Sequence, residues 1–236
     1  MPADRRLLVT LCTYNERGNI GRLIPEIHRH APQADVLVID DNSPDGTGEL
    51  ADELAAGDQR IHVLHRPGKQ GLGTATVAGF RYGIEHDYDL LLNMDADFSH
   101  PPETIPALLE TASRADVAVG SRYVAGGGVE GWGPHRHVMS WGINTYARLI
   151  LGLKTKDNSG SFRCYRVDKL AEVDLDRIRA RGYAIQEEIL YRCRKVGCTF
   201  EEVPFVFKDR TVGESKISWK DAVGALWVLL TLRFGK

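Results

Sequence analysis

The stretch Leu90-Leu91-Leu92-Asn93-Met94-Asp95-Ala96-Asp97 decides the fold. Its first five residues are a short apolar run of the kind that a strand covered on both faces requires. Two carboxylates follow with one residue between them, at the open end of that strand. The pattern on either side repeats the theme. Upstream, Leu7 to Cys12 and Val36 to Ile39 read as buried strands, with Ile20, Leu23, Ile24 and Ile27 at helical spacing between them, and Leu50, Leu54 and Ala55 mark the next helix. Ile61 to Leu64 is a third strand and Thr74 to His86 a helix; downstream, Ile105 to Ala112 is a helix leading to a fifth strand at Val117 to Gly120. Strands alternating with helices predict an α/β fold with a mostly parallel, Rossmann-like sheet and helices on both faces. Such sheets bind ligands beyond the carboxyl ends of their strands, so the polar loops after Leu11, Ile39 and Met94 converge on one site.

The chain has 236 residues, 43% hydrophobic and 26% charged, which excludes disorder and fibrous structure and suffices for one large α/β domain or two small ones. Its 30 basic and 32 acidic side chains give a net charge of −2, so the excess that a nucleic-acid binder uses to displace counterions is missing. Any phosphate must be held locally. Cys12, Cys164, Cys193 and Cys198 contain no C-x-x-C pair, which points to a reducing, cytoplasmic compartment. The N-terminal MPADRRLLVTL lacks the apolar core of a signal peptide. After Tyr123 the texture changes, and a soft boundary near residue 124 separates two halves of one domain, residues 1–124 and residues 125–236. The second half carries a glycine-rich run from Ala125 to Gly133, helices at Met139 to Leu151 and Ile185 to Lys195, and a strand at Thr199 to Phe207. Its apolar stretch Ala222 to Leu232, eleven residues long, falls short of the roughly 20 that span a bilayer.

Asp95 and Asp97 can present oxygens to one hard divalent cation and leave positions for a ligand's phosphates. The same residues also serve as a turn in which one aspartate caps the helix announced by Ser99, Pro101 and Glu103. In Asp40-Asp41-Asn42-Ser43-Pro44-Asp45-Gly46-Thr47, Asp40 at the exit of the second strand is placed to accept hydrogen bonds from a nucleoside, while Ser43 or Asp45 cap the next helix. Gly68 to Thr74 fits neither a P-loop nor G-x-G-x-x-G, which rejects ATPase and dehydrogenase alike. The run Ala125 to Gly133 reads as a mobile loop or lid with Trp132 as an exposed apolar element. Arg122 and Arg136 suit phosphate through their planar forks, and Lys208, Arg210 and Lys216 cluster around Gly213. The eight histidines show no zinc spacing and receive no role.

Several segments together resemble a family: TYNE at Thr13 to Glu16, DDNSPDGT at Asp40 to Thr47, GLGTA at Gly71 to Ala75, MDADFSHPPE at Met94 to Glu103, GSRY at Gly120 to Tyr123, GSFRCYR at Gly160 to Arg166, GYAIQEE at Gly182 to Glu188 and EVPFVFKDRTVGESK at Glu202 to Lys216. The order of these motifs over almost the whole chain is similar to that of the inverting GT-A glycosyltransferases, and within them of the dolichyl-phosphate (polyprenyl-phosphate) mannosyltransferases. The resemblance implies a single-domain GT-A fold and transfer of mannose from GDP-mannose to a polyprenyl phosphate at the cytoplasmic membrane face. It implies a donor site of Cys12, Tyr14, Glu16, Val38, Asp40 and Ala96. Asp95, Asp97 and Ser99 stand at Mg2+ or Mn2+, and Arg122, Arg136 and Ser140 at the acceptor phosphate. Arg210 and Lys216 belong to a loop closing over the donor; Asp97, Arg122 and Arg136 carry the catalysis. Cys12 replaces the family's usual proline. A lipid monophosphate is already anionic and attacks without a base, so Glu188 reads as a positioning group, or else as an exposed helix carboxylate. Glucosyl transfer to the same lipid is the alternative within enzymes, and a non-catalytic nucleotide-sugar binder the alternative outside them. Membrane contact falls to Trp132 or to a C-terminal face of Trp219, Val223, Leu226, Trp227, Leu230 and Phe234, with a separate membrane-anchoring subunit as a further option.

Overall fold

A computed structural model describes residues 5–180, 182–209 and 229–234. Seven strands form the central sheet: β1 (Leu7–Thr13), β2 (Ala34–Asp40), β3 (Ile61–His65), β4 (Leu90–Asp95), β5 (Val117–Ser121), β7 (Arg163–Arg166) and β8 (Phe200–Pro204). Their order is β3-β2-β1-β4-β7-β5-β8. All pairings are parallel except those of β7, which runs antiparallel to both β4 and β5. A short second sheet pairs β6 (Gly128–Glu130) with β9 (Val206–Lys208) in parallel. The helices are α1 (Arg17–His30), α2 (Thr47–Gly57), α3 (Leu72–Glu85), α4 (Ile105–Thr111), α5 (Pro134–Leu151), α6 (Val167–Leu170) and α7 (Ile185–Lys195).

Alternation along the strands divides the core into two layers. Leu7, Val9 and Leu11 of β1 face Ile20, Leu23, Ile24 and Ile27 of α1, Ala51 of α2 and Leu108 of α4. Leu8, Leu37, Ile39 and Leu91 face Phe80 of α3, Ala147 and Leu151 of α5, and Ile189 and Leu190 of α7. Each such side chain, fully buried, contributes roughly 1.5–3 kcal/mol. Helices therefore cover both faces. Leu229, within the helical residues 229–234, is fully buried in the second layer, so this end of the C-terminal stretch packs on the core, while Phe234 is exposed.

The strand at 163–166 is the departure from the expected order. It sits between β4 and β5, with Asn93 opposite Arg163, and so brings the loop before it against the carboxyl end of β4. That loop joins the two halves of the site. The single strand expected over Thr199 to Phe207 is two, β8 and β9, broken at Phe205. The glycine-rich run is also more ordered than expected, since Gly128–Glu130 pairs with Val206–Lys208.

Helix α3 lies unusually close to the sheet because it presents glycines to it. A Cβ on Gly79 would meet Ile39 Cδ1 at 2.8 Å and one on Gly83 would meet Leu91 Cδ1 at 2.7 Å. Gly18 of α1 has nothing within 4 Å of the same position. Gly79→Leu is therefore expected to lower stability by about 1–3 kcal/mol through overpacking. Gly18→Ala should leave it unchanged or raise it by up to about 1 kcal/mol, and urea denaturation of the two variants reads the difference.

Candidate active site

The site is built from the carboxyl ends of β1, β2 and β4. Three of the four non-glycine residues with a left-handed backbone among the described residues lie in these exit loops: Asn15 (φ 64°), Asn42 (φ 57°) and Phe98 (φ 62°). A bulky residue in that region persists only when its surroundings over-determine it. Here the surroundings are hydrogen bonds between loops. Asp40, almost fully buried, accepts from Thr13 Oγ1 at 3.0 Å, from Ser43 Oγ at 2.5 Å and from the Ser43 backbone N–H at 3.0 Å. The expected nucleoside acceptor thus has its carboxylate committed to the turn. Asp41 beside it takes Arg66 Nη1 at 2.5 Å, and Arg66 Nη2 reaches Thr74 Oγ1 at 2.5 Å, which ties the β2 exit to the start of α3. Arg66 was not singled out in the sequence. Tyr14 is exposed with Lys69 Nζ 4.2 Å above its ring, and Glu16 accepts from Asn19 Nδ2 at 2.7 Å.

Cys12 points toward the second core layer, where burial pushes its thiol up to about 12; it packs below the cleft. Val38 is fully buried and Ala96 nearly so, both in the first layer. Their side chains support the strand ends from the core.

At the end of β4 the two carboxylates are held differently. Asp95 Oδ1 accepts from Ser161 Oγ at 2.7 Å, and its side chain is about one-third exposed. The Asp95 backbone N–H donates to His100 Nδ1 at 3.0 Å. That bond requires a neutral acceptor nitrogen, and burial lowers the pKa of His100 accordingly. The ring is stacked on Phe162 at 4.9 Å, so a histidine given no role fixes the strand end. Asp97 Oδ1 accepts from the Ser99 N–H at 3.0 Å and Oγ at 2.6 Å. Ser99, itself buried, orients Asp97. Two oriented carboxylates suit a hard divalent cation whose remaining positions are filled by ligand phosphates and water. No group of three His, Cys, Asp or Glu side chains occurs among the described residues to hold a metal without such a ligand.

The second half contributes a buried ion pair. Arg122, at the exit of β5, gives Nε and Nη2 to the two oxygens of Asp157, both at 2.7 Å, and its backbone N–H to Asp157 Oδ2 at 3.0 Å. Nη2 also reaches Ser159 Oγ at 3.0 Å. Asp157 thus occupies the Nε and Nη2 edge of the fork. Burial would raise the Asp157 pKa, but the Arg122 guanidinium overrides this and holds it below the usual carboxylate range. Asn144 of α5 and Glu202 of β8 brace the same loop, accepting from the backbone N–H groups of Asn158 (2.6 Å) and Lys156 (2.9 Å). Arg136 bonds Asp209 through Nη1 at 2.8 Å and is one-fifth exposed. Ser140 Oγ lies 2.7 Å from the Tyr123 hydroxyl. Trp132, expected as an exposed apolar element, is packed 4.3 Å from the Arg136 guanidinium and 5.4 Å from the Phe207 ring. Glu188 is fully buried, accepting from Arg192 Nε at 2.8 Å and from the Ala180 N–H at 2.8 Å. It positions the loop before α7 and is not an exposed helix carboxylate. Burial pushes its neighbour Glu187 up to about 7. Arg210, Lys216, Trp219, Lys220, Val223, Leu226 and Trp227 lie outside the described residues.

The model of glycosyl transferase family 2 matches residues 8–174. The undecaprenyl-phosphate mannosyltransferase of Micrococcus luteus is 46% identical over 213 residues, covering 90% of this chain and 88% of the relative. The chain belongs to the polyprenyl-phosphate mannosyltransferases of glycosyl transferase family 2. The polyprenol monophosphomannose synthase of Mycolicibacterium smegmatis supports the same membership at 45% identity over 216 residues, 91% of this chain and 82% of the relative. Among solved structures, glucosyl-3-phosphoglycerate synthase from Mycobacterium tuberculosis, in complex with Mn2+, UDP and glucosyl-3-phosphoglycerate, superposes with a TM-score of 0.69 at 19% identity over 98% of this chain and 80% of that one. A Pyrobaculum calidifontis mannosyltransferase in complex with GDP-Man and Mn2+ gives 0.63 at 16% identity, covering 100% of this chain and 66% of that one. These likenesses show the shared GT-A fold.

In this family member the Arg122–Asp157 pair carries both halves of the site, and breaking it leaves a buried cation without a partner. Asp157→Asn is expected to cost about 3–5 kcal/mol at pH 7. Because the wild-type pKa is depressed on folding, its contribution is complete above about pH 4 and lost as pH falls further. The gap between variant and wild type in urea unfolding should therefore narrow on acidification.

Proposed function

We infer that the protein transfers mannose from GDP-mannose to the phosphate of a polyprenyl phosphate, with inversion at the anomeric carbon. The observation that carries this reading is the bridge from Asp95 through Ser161 to the loop holding Asp157, Ser159 and Arg122: it puts a carboxylate pair suited to a metal diphosphate beside a cluster of arginines. Asp95 and Asp97 would hold Mg2+ or Mn2+, which when bound offsets the charge on the departing diphosphate. Tyr14 and Lys69 offer a ring and a cation at the nucleoside end. Arg136, partly exposed beside Ser140, is the group for the acceptor phosphate, and the Arg122–Asp157 pair supports the site from behind it. The chain's task is to bring two anions together and keep them aligned. No base is needed, because the attacking phosphate oxygen is already ionised. Asp40, Asp157 and Glu188 are each held in hydrogen bonds that suit positioning and not proton transfer.

The acceptor's chain lies in a bilayer, and no helix among the described residues is long and apolar enough to cross one. Helix α5 supports a peripheral contact instead. Val138, Trp141 and Leu149 are 69%, 63% and 77% exposed, lie on one side of the helix, and are accompanied by His135, Arg136, His137 and Arg148 with no acidic residue between Pro134 and Leu151. Apolar anchors with basic neighbours suit the headgroup layer of an anionic leaflet on the cytoplasmic face.

Asp97→Ala should reduce transfer from labelled GDP-mannose to a short prenyl phosphate by at least a hundredfold in a protein that still unfolds cooperatively in urea, about 1–3 kcal/mol less stable for the lost Ser99 bonds, and chelation of the wild type should match the loss of transfer. Turnover retained in both would overturn the metal reading, and a panel of GDP- and UDP-sugars identifies the donor. Val138→Glu with Leu149→Glu should abolish sedimentation with phosphatidylglycerol vesicles while transfer to a water-dispersed short acceptor persists. The purified chain used alone also tells whether an anchoring subunit is needed.

A further inference from the structure

Trp132 sits where two cations meet. Its ring lies 4.3 Å from the guanidinium carbon of Arg136 and 5.5 Å from that of Arg122, with His137 at 5.6 Å and Phe207 at 5.4 Å completing the enclosure. Its Nε1 is buried and has no hydrogen-bond partner among the described residues. An orphaned donor of this kind is destabilising, and a tryptophan N–H normally finds an acceptor. Stacking on cations alone does not explain it, because a phenylalanine would stack without carrying the unpaired N–H.

The charges around the ring balance. Arg122 is matched by Asp157 and Arg136 by Asp209. The two carboxylates are not equally fixed: Asp157 is fully buried and bonded to the Arg122 backbone and side chain and to the Gly160 N–H, while Asp209 is 29% exposed. An arriving phosphate dianion, with more charge and more acceptor oxygens than a carboxylate, would displace the more exposed Asp209 from Arg136 in preference to Asp157. That exchange would put oxygen acceptors at the edge of the enclosure holding the indole.

We propose that the Trp132 indole N–H is a direct hydrogen-bond donor to the acceptor phosphate, with the ring face holding the Arg136 guanidinium beside it. The proposal rests on the reading of a polyprenyl phosphate as acceptor and adds a neutral donor to a site otherwise described by its arginines. A neutral N–H binds the phosphate without adding to the repulsion between the two guanidinium groups.

The test separates the N–H from the ring. Trp132→Phe keeps the ring face and loses the donor; Trp132→Leu loses both. With a ten-carbon prenyl monophosphate as acceptor, Trp132→Phe should raise the acceptor KM about tenfold or more and leave the KM for GDP-mannose unchanged, and Trp132→Leu should raise it further. In 15N-labelled wild type, the indole resonance that Trp132→Phe removes should move downfield as the same prenyl phosphate is added in the presence of GDP. Should that variant not fold, the resonance is assigned by elimination with phenylalanine at Trp141, Trp219 and Trp227. A wild-type acceptor KM in Trp132→Phe, or an indole resonance that stays still while calorimetry records binding, overturns the assignment and leaves the acceptor reading standing. Absence of any binding by calorimetry overturns both.

Discussion

A largely buried ion pair, Arg122 with Asp157, ties the exit of the fifth strand to the loop before the seventh, and the rest of the site hangs from that tie. Removing two charges from water is unfavourable unless the geometry is good and the remaining acceptor positions are filled. Here the carboxylate takes two guanidinium N–H groups and two backbone N–H groups. The desolvation penalty is offset, and the pair's effect is to fix positions. Ser159 is held against Arg122, Ser161 reaches Asp95, and Asn144 fastens helix α5 to the same loop. A sheet with β7 elsewhere would leave the carboxylate pair and the arginines on separate parts of the surface.

The neighbouring loops follow the same logic. Left-handed Asn15 donates its N–H to Ser43 of the next loop, and left-handed Asn42 and Phe98 lie in turns closed by Ser43 on Asp40 and by Ser99 on Asp97, so the cleft is organised before any ligand arrives. Reactions between two anions benefit from such preparation, since the fixed dipoles and cations need no rearrangement as charge moves. The carboxylates that a hydroxyl acceptor would need as bases are instead held in structural bonds, consistent with a nucleophile that arrives ionised.

Most of the sheet was legible because β1 to β5 are short apolar runs ending in polar turns, and the helices between them carry clear spacing. Strand β7 was not. Its sequence Arg163-Cys164-Tyr165-Arg166 shows charge at both ends, yet Arg163 is fully buried because its Nη atoms reach the carbonyls of Gln186 and Asn158 at 2.6 and 2.7 Å. Satisfaction of that kind comes from carbonyls of a loop and of a later helix and leaves no local pattern. Asp157 was missed for the same reason: within Lys154 to Ser161 it reads as one polar loop residue among several. Trp132 misled in the opposite direction, since a glycine-rich run suggested mobility while the pairing that orders it lies more than seventy residues away. The place of Asp95 and Asp97 was legible because it is a strand end, which the sequence pattern marks directly.

The central claim is a phosphate nucleophile attacking opposite the departing diphosphate, with no group on the protein taking the sugar in between. The stereochemistry of the product tests it most directly. After incubation of the chain with GDP-α-mannose, a divalent cation and a short prenyl phosphate, the carbon–proton coupling at the anomeric centre of the purified product identifies its configuration by NMR. A single inversion predicts the β-mannosyl phosphate; an α-linked product, or mannose attached through a hydroxyl oxygen instead of phosphate, would contradict the account.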